Sequence, residues 1–215
     1  MAFTWSYSRL GDYEKCPRLY KYRHVDRLPE PKGDALARGI AIHEEVEQYL
    51  FGQAPLPSKF DKFRAYIDDV KSKPGLVVED LWALTREWGN CTPKSPLAWW
   101  RGKLDAYWRE GEQASVVDWK TGRVYDSNMD QMKLYAAAVM SRDLEVEEVR
   151  VSLVYFDQGE EHSEVYTRDR LEWAQGQFKA RAGRMEDDTV FTPRPGSACR
   201  WCAHRKSKGG PCSEG

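Results

Sequence analysis

Asp118 and Lys120 stand two residues apart in the run Val116-Val117-Asp118-Trp119-Lys120-Thr121-Gly122. In an extended strand, residues i and i+2 point to one face, so the carboxylate and the ammonium lie side by side. A lone D-x-K pair often marks nothing more than a solvated strand end. The preceding strand changes that reading. The run Arg101-Gly102-Lys103-Leu104-Asp105-Ala106-Tyr107-Trp108 sets Asp105 inside an apolar, aromatic hairpin partner. A carboxylate buried there is costly unless it is paired or binds a metal. Asp105 and Asp118 on neighbouring strands can converge on one hard cation such as Mg²⁺, which takes carboxylate oxygens and waters. Lys120 then polarises the attacked group or positions a water.

Three further features fit that site. His43 lies on the apolar face of a helical segment, four residues after Gly39. A lone His in that setting is more often a satisfied core residue than a ligand. Gln131 and Tyr135 are i and i+4 on the helix that follows, hence on one face. Glu79, in Val77-Val78-Glu79-Asp80-Leu81-Trp82, is an acid in an apolar strand. It is either an exposed edge acid or a further metal-site carboxylate.

In chain order these give G-x-x-x-H (Gly39, His43), G-x-x-D (Gly102, Asp105), D-x-K-T-G (Asp118, Lys120, Thr121, Gly122) and Q-x-x-x-Y (Gln131, Tyr135). That order resembles the PD-(D/E)xK nuclease superfamily, and within it the RecB-type and CRISPR-adaptation-type exonucleases, over nearly the whole chain. The resemblance implies metal-assisted phosphodiester hydrolysis with one or two Mg²⁺ or Mn²⁺ ions. It makes Asp105, Asp118, His43 and the Trp119 carbonyl metal ligands. Lys120 stabilises developing charge or orients the water. Gln131 and Tyr135 contact the phosphate backbone or support Lys120. Ala106 follows Asp105 where many RecB-type members carry Arg.

The cysteines make a second constellation. Cys199, Cys202 and Cys212 form C-x2-C-x9-C near the end of the chain, and Cys16 precedes Pro17 near its start. Two thiolates at C-x2-C spacing reach one centre, and four accept either zinc or a 4Fe–4S cluster. The resemblance implies iron–sulfur, because helicase-associated and CRISPR-adaptation relatives hold such a cluster with one N-terminal and three C-terminal Cys. The last gap here is longer than is usual there. Cys91 is left over as a structural thiol. Around these Cys, residues 15–25 and 189–213 contain Lys and Arg but no acid. If the Cys bring the segments together, Arg18, Lys21, Arg200, Arg205 and Lys206 form a surface that guides a nucleic-acid strand, with Trp201 or Tyr20 free to stack on bases.

The elements that must position these residues follow from periodicity. Residues 6–25 read as a helix capped by Ser6 or Ser8 and interrupted at Pro17. Residues 35–52 read as a helix with Leu36, Ile40, His43, Val46 or Glu47, and Leu50 on one face, and residues 58–72 as a second, with Phe60, Phe63, Ile67 and Val70 in a stripe. Strands are expected at 76–88, 97–110 and 114–122. A helix capped by Asp126 or Ser127 follows, then two strands about a turn at Gln158-Gly159, then a helix over 168–188. The fold class is α/β, a restriction-endonuclease-like core with a central mixed sheet flanked by helices. It reads as a single nuclease domain over 1–215. Residues 1–75 are a helical part contributing Cys16 and His43, 76–188 the catalytic core, and 189–215 a Cys-rich cluster tail.

The 215 residues suffice for one substantial core, and a formal charge of -1 offers no global argument for a polyanionic partner. The apolar runs are too short to span a membrane and the N-terminus lacks a signal pattern, so the chain reads as cytoplasmic, in a bacterial cell or in the host of a phage. Its expected partner is DNA with a free end or a single strand, together with recombination, replication or repair proteins. A non-catalytic DNA-end-binding module of a larger repair complex is the alternative. The coexistence of His43, Asp105, Asp118 and Lys120 argues against it. A metal-dependent hydrolase acting on another substrate is disfavoured by the basic Cys segments.

Overall fold

The computed structural model describes residues 3–31 and 33–214, the side chain of Asp126 excepted. Helices α1 (Tyr7–Lys15), α2 (Pro17–Tyr20), α3 (Asp34–Leu50) and α4 (Arg64–Ser72) precede the sheet. Strands β1 (Val77–Leu84), β2 (Asn90–Cys91), β3 (Trp100–Glu110) and β4 (Gln113–Lys120) follow. Then come α5 (Asp126–Arg142), β5 (Glu148–Tyr155), β6 (Glu160–Thr167) and α6 (Leu171–Asp187). The sheet order is β2-β1-β3-β4-β5-β6. Every neighbouring pair is antiparallel except β4 and β5. A parallel pair needs a crossover, and α5 is that crossover. The sheet is therefore mixed and flanked by helices, as expected.

The two faces bury different helices. Leu10 of α1, the Ala136-Ala137-Ala138 run of α5 and Phe178 of α6 pack on Val116, Val149, Val151 and Leu153. Small residues along α5 let it lie between the sheet and α6 while buried on most sides. On the other face, Ile42, Val46 and Leu50 of α3 join Phe60, Ile67 and Val70 against Ala106, Trp108, Val117 and Trp119. The first 75 residues are thus divided between the two faces.

Several boundaries differ from expectation. Pro17 does start a new helix, because it lacks the N–H that α1 would need there, and a π-helical turn over Lys21–Val25 extends it. Leu36 and Ile40 are exposed rather than core, since the buried face of α3 begins only at Ile42. Residues Ser58–Phe63 form a 3₁₀ segment before α4 begins. The residue flanking α5 is Tyr125, with no side-chain cap, in place of Asp126 or Ser127. The two-residue strand β2 is too short to leave a period in the sequence.

Candidate active site

The site forms where β3 leaves β4. The ladder between them runs from Glu110 opposite Gln113 to Ala106 opposite Val117. Beyond that point the Trp119 N–H donates to Asp105 Oδ2 at 2.9 Å instead of to a strand carbonyl. The carboxylate thus takes over a ladder position, and Asp118 and Lys120 emerge at the parting. The side-chain alternation of β3 also inverts here. Leu104 packs into the α5 face, whereas Ala106 and Trp108 pack into the α3 face. Strand β1 inverts at the same level. Val78 joins the α3 face and Trp82 and Leu84 the α5 face. Between them Glu79 adopts φ +55°, and it is missing from a ladder whose flanking pairs are Val78–Ala106 and Asp80–Leu104. A non-glycine residue held there costs about 1–3 kcal/mol, and such strain gathers at functional sites.

The inversion turns acids toward α3. His43 Nδ1 is 3.2 Å from Asp105 Oδ2 and 3.9 Å from Glu79 Oε1. One ligand atom from each of His43, Glu79 and Asp105 fits within a 4.8 Å cluster. Lys103 closes on Glu79 from the solvent side. Asp118 is beside the cluster, its Oδ2 held by Lys120 Nζ at 2.6 Å. Lys120 Nζ also donates to Gln131 Oε1 at 3.1 Å. Gln131 Nε2 donates to Tyr135 Oη at 2.8 Å, and Tyr135 Oη to the Lys103 carbonyl at 2.9 Å. Gln131 and Tyr135 thus form a hydrogen-bonded chain that links Lys120 to the β3 backbone. Gly102 makes room for this chain, since a Cβ there would lie 2.2 Å from the Trp100 ring and 3.1 Å from Tyr135.

The electrostatics follow from burial and crowding. Asp105 and Asp118 are 7 % and 3 % exposed. Burial raises the Asp105 pKa, the Asp118 charge raises it further, and the His43 hydrogen bond only partly offsets them. Burial opposes a charged His43 ring, yet the hydrogen bond to Asp105 and the charges of Asp105, Asp118 and Glu79 push its pKa up to about 9. Lys120 loses solvation by burial, but the adjacent Asp118 keeps it protonated and raises its pKa. Two buried carboxylates, a third acid and an imidazole make a donor set of hard oxygens with one nitrogen, which suits Mg²⁺ or Mn²⁺. Trp119 sends its ring into the α3 face, away from the Asp118 and Lys120 side chains, stacked on Phe156 at 5.8 Å.

Cys16, Cys199, Cys202 and Cys212 line one cavity together with Arg18, and all are free thiols. The two termini do meet, the Arg194 N–H donating to Cys16 Sγ at 3.3 Å. Among the described residues, no three Cys sulfurs lie within 4.8 Å of one another. The described cysteines thus share a cavity but show no cluster arrangement. Cys91 is on β2 and does not line that cavity.

The basic segments are less free than their composition suggests. Lys21 is paired with Asp26 at 2.6 Å, and Arg23 with Asp12 and Glu30 at 2.7 Å each. Arg18 Nε donates to the Phe191 carbonyl. Arg200, Arg205 and Lys206 have no carboxylate partner among the described residues, and Arg200 lies over the Trp201 ring, which is 76 % exposed. Tyr20 cannot stack on a base, because it is 6 % exposed between Tyr13, His24 and Phe191. Sequence reasoning passed over Lys103, although it is i−2 from Asp105 and so available to the same site.

No curated protein matches the sequence. Among solved structures, the chain resembles SSO0001, with a TM-score of 0.56 and 15 % identity over 100 % of this chain and 88 % of that one. It also resembles a proposed exonuclease from Eubacterium rectale, with a TM-score of 0.54 and 14 % identity over 93 % and 88 %. At those identities the likeness concerns the fold. A model of the PD-(D/E)XK nuclease superfamily matches residues 4–110 and 100–207, a span that contains the His43, Glu79, Asp105, Asp118 and Lys120 site. The chain belongs to the PD-(D/E)XK nuclease superfamily.

Proposed function

We propose that the protein is a divalent-metal-dependent DNA exonuclease of RecB type, acting in recombination, repair, replication or phage DNA metabolism. The observation that carries this reading is the convergence of His43, Glu79 and Asp105 beside the Asp118–Lys120 pair. His43, Glu79, Asp105, Asp118 and the Trp119 carbonyl are the residues that would hold the metal. A divalent cation held there lowers the pKa of a bound water and neutralises charge on the leaving oxygen. Lys120 brings a fixed positive charge to the attacked phosphate, and Gln131 and Tyr135 hold it in place. Arg18, Lys21, Arg200, Arg205, Lys206 and Trp201 are assigned to guiding the strand, although Lys21 must release Asp26 to do so.

The four-Cys cavity is assigned to a 4Fe–4S cluster. What supports the reading is that Cys16, Cys199, Cys202 and Cys212 line one cavity joining the two ends of the chain. A brown protein absorbing near ~410 nm bears this out. A colourless protein with bound zinc refutes it.

The activity is tested with end-labelled linear DNA and Mg²⁺ or Mn²⁺, comparing the native chain with Asp118→Ala. Metal-dependent shortening from one end, absent in the variant, is expected. Equal degradation by both proteins, or none by the native chain, rejects the reading.

A further inference from the structure

Lys103 borders two hollows. One is the cleft of His43, Glu79 and Asp105, whose lining also includes Glu44 and Glu47. The other, about 370 Å³, lies between the start of α1, β3 and α5. Its lining includes Ser6, Arg9, Arg101, Lys103, Gln131 and Tyr135 and no carboxylate. The acidic hollow suits a cation; its neighbour has the opposite charge.

Neither guanidinium of that second hollow has a counter-charge among the described residues. Arg9 Nη1 donates only to the Thr4 carbonyl, at 2.9 Å. The Arg101 side chain makes no hydrogen bond or ion pair, and its Nε is shut off from water without a partner. That Nε is closed to any ligand, but the Arg101 Nη donors are not so enclosed and have no partner among the described residues, so they are free to meet an incoming acceptor. The N-cap residue Ser6, its hydroxyl 3.0 Å from that of Ser8 in the first turn, brings the positive end of the nine-residue α1 to the same wall. Guanidinium forks match the oxygens of phosphate. The location is also telling. Gln131, which holds Lys120, forms part of the wall, and Lys103 faces both hollows.

We propose that this hollow is a phosphate-binding subsite for the substrate strand, and that Arg9 and Arg101 are positioning residues that take a phosphate flanking the scissile one. This rests on the nuclease reading above. The oxygens belong either to an internal phosphodiester or to a terminal phosphomonoester, and the test separates these two sources.

Fluorescent single-stranded oligonucleotides, with and without a terminal phosphate, are titrated in chelator at several salt concentrations. The proteins are the native chain, Arg9→Gln, Arg101→Gln, Arg101→Lys and, on the far face, Arg150→Gln. Each of Arg9→Gln and Arg101→Gln weakens binding about tenfold, and the slope of log K against log salt falls by up to about 0.7, because one of the two cations on the phosphate is lost. Arg101→Lys keeps the slope, because it keeps the charge, and Arg150→Gln matches the native chain. In turnover with metal, KM rises in the two Gln variants while kcat is retained. If the terminal phosphate contributes in the native chain and not in Arg101→Gln, the monoester is the ligand; if it contributes equally in both, the internal diester is. Unchanged affinity and slope in both Gln variants, from a chain that binds and cuts, overturns the subsite alone. A native chain that neither binds nor cuts overturns the nuclease reading and the subsite with it.

Discussion

Replacing Glu79 by Gly and by Ala gives a comparison whose sign depends on the backbone of β1. Both variants remove the carboxylate that meets Lys103 and His43, so that effect cancels between them. At an ordinary strand position Gly is less stable than Ala by about 0.5–1 kcal/mol, through its larger backbone entropy when unfolded. Here the residue sits at φ +55°. Holding Ala there costs about 1–2 kcal/mol that Gly does not incur. The sign therefore reverses, and Glu79→Gly should be the more stable variant by about 1 kcal/mol, a difference of about 2–4 °C in Tm for a chain of this size. Thermal unfolding in chelator measures it. If Glu79→Ala is as stable as Glu79→Gly or more so, φ at this position is set by the glutamate and not by the paired inversion of β1 and β3, and the strain argument fails. The same samples with Mn²⁺ report the other role of the residue. A ligand at a hundred times its Kd stabilises a folded protein by about 2.7 kcal/mol. The native chain should show a gain of that order, and both variants should lose most of it.

Gln131→Ala should leave metal-induced stabilisation intact and slow DNA cleavage by about 10–100-fold, the usual cost of removing a group that orients a site residue; cleavage at the native rate would show that Lys120 needs no support. In chelator, the raised pKa of His43 links stability to pH. The contribution of the charged ring is fully present below its ordinary value of 6.5 and is lost as the pH rises through about 9. Unfolding free energy should thus decline between those values, and His43→Asn should flatten the decline, as denaturant titrations at a series of pH values will show. Gly102→Ala places a methyl against the Trp100 ring and should cost about 1–3 kcal/mol by overpacking; a loss below half that figure, read by urea unfolding, means that Trp100 moves aside freely.

The long elements were legible because their periods are local. The apolar, β-branched run over 114–120 and the Ala- and Met-rich run over 129–140 identify β4 and α5 without tertiary information. The acids and the D-x-K pair could be singled out because charge in an apolar strand demands a partner. What escaped was non-local. The apolar residues Trp100, Leu104, Ala106 and Trp108 share one parity, so the sequence reads as a single uninterrupted strand face. Only the break in the β1–β3 ladder at the level of Glu79 and Asp105 reveals that the face changes between Leu104 and Ala106. Leu36 and Ile40 keep helical spacing with Val46 yet are exposed, since periodicity does not tell where the sheet beneath α3 ends. Lys21 and Arg23 looked unpaired because Asp12, Asp26 and Glu30 lie just outside the acid-free window, and the fold brings them in.

The hydrogen bond from the Trp119 amide to Asp105 makes one backbone proton a gauge of the site. Most amides of the central strands exchange with solvent deuterium only when strands separate, at a rate set by larger unfolding events. That of Trp119 answers to a side chain instead. Its exchange should accelerate when Asp105 is protonated or replaced by Asn, with the rest of β4 unmoved. A single slow-exchanging resonance thereby separates the state of the carboxylate from the integrity of the sheet that carries it.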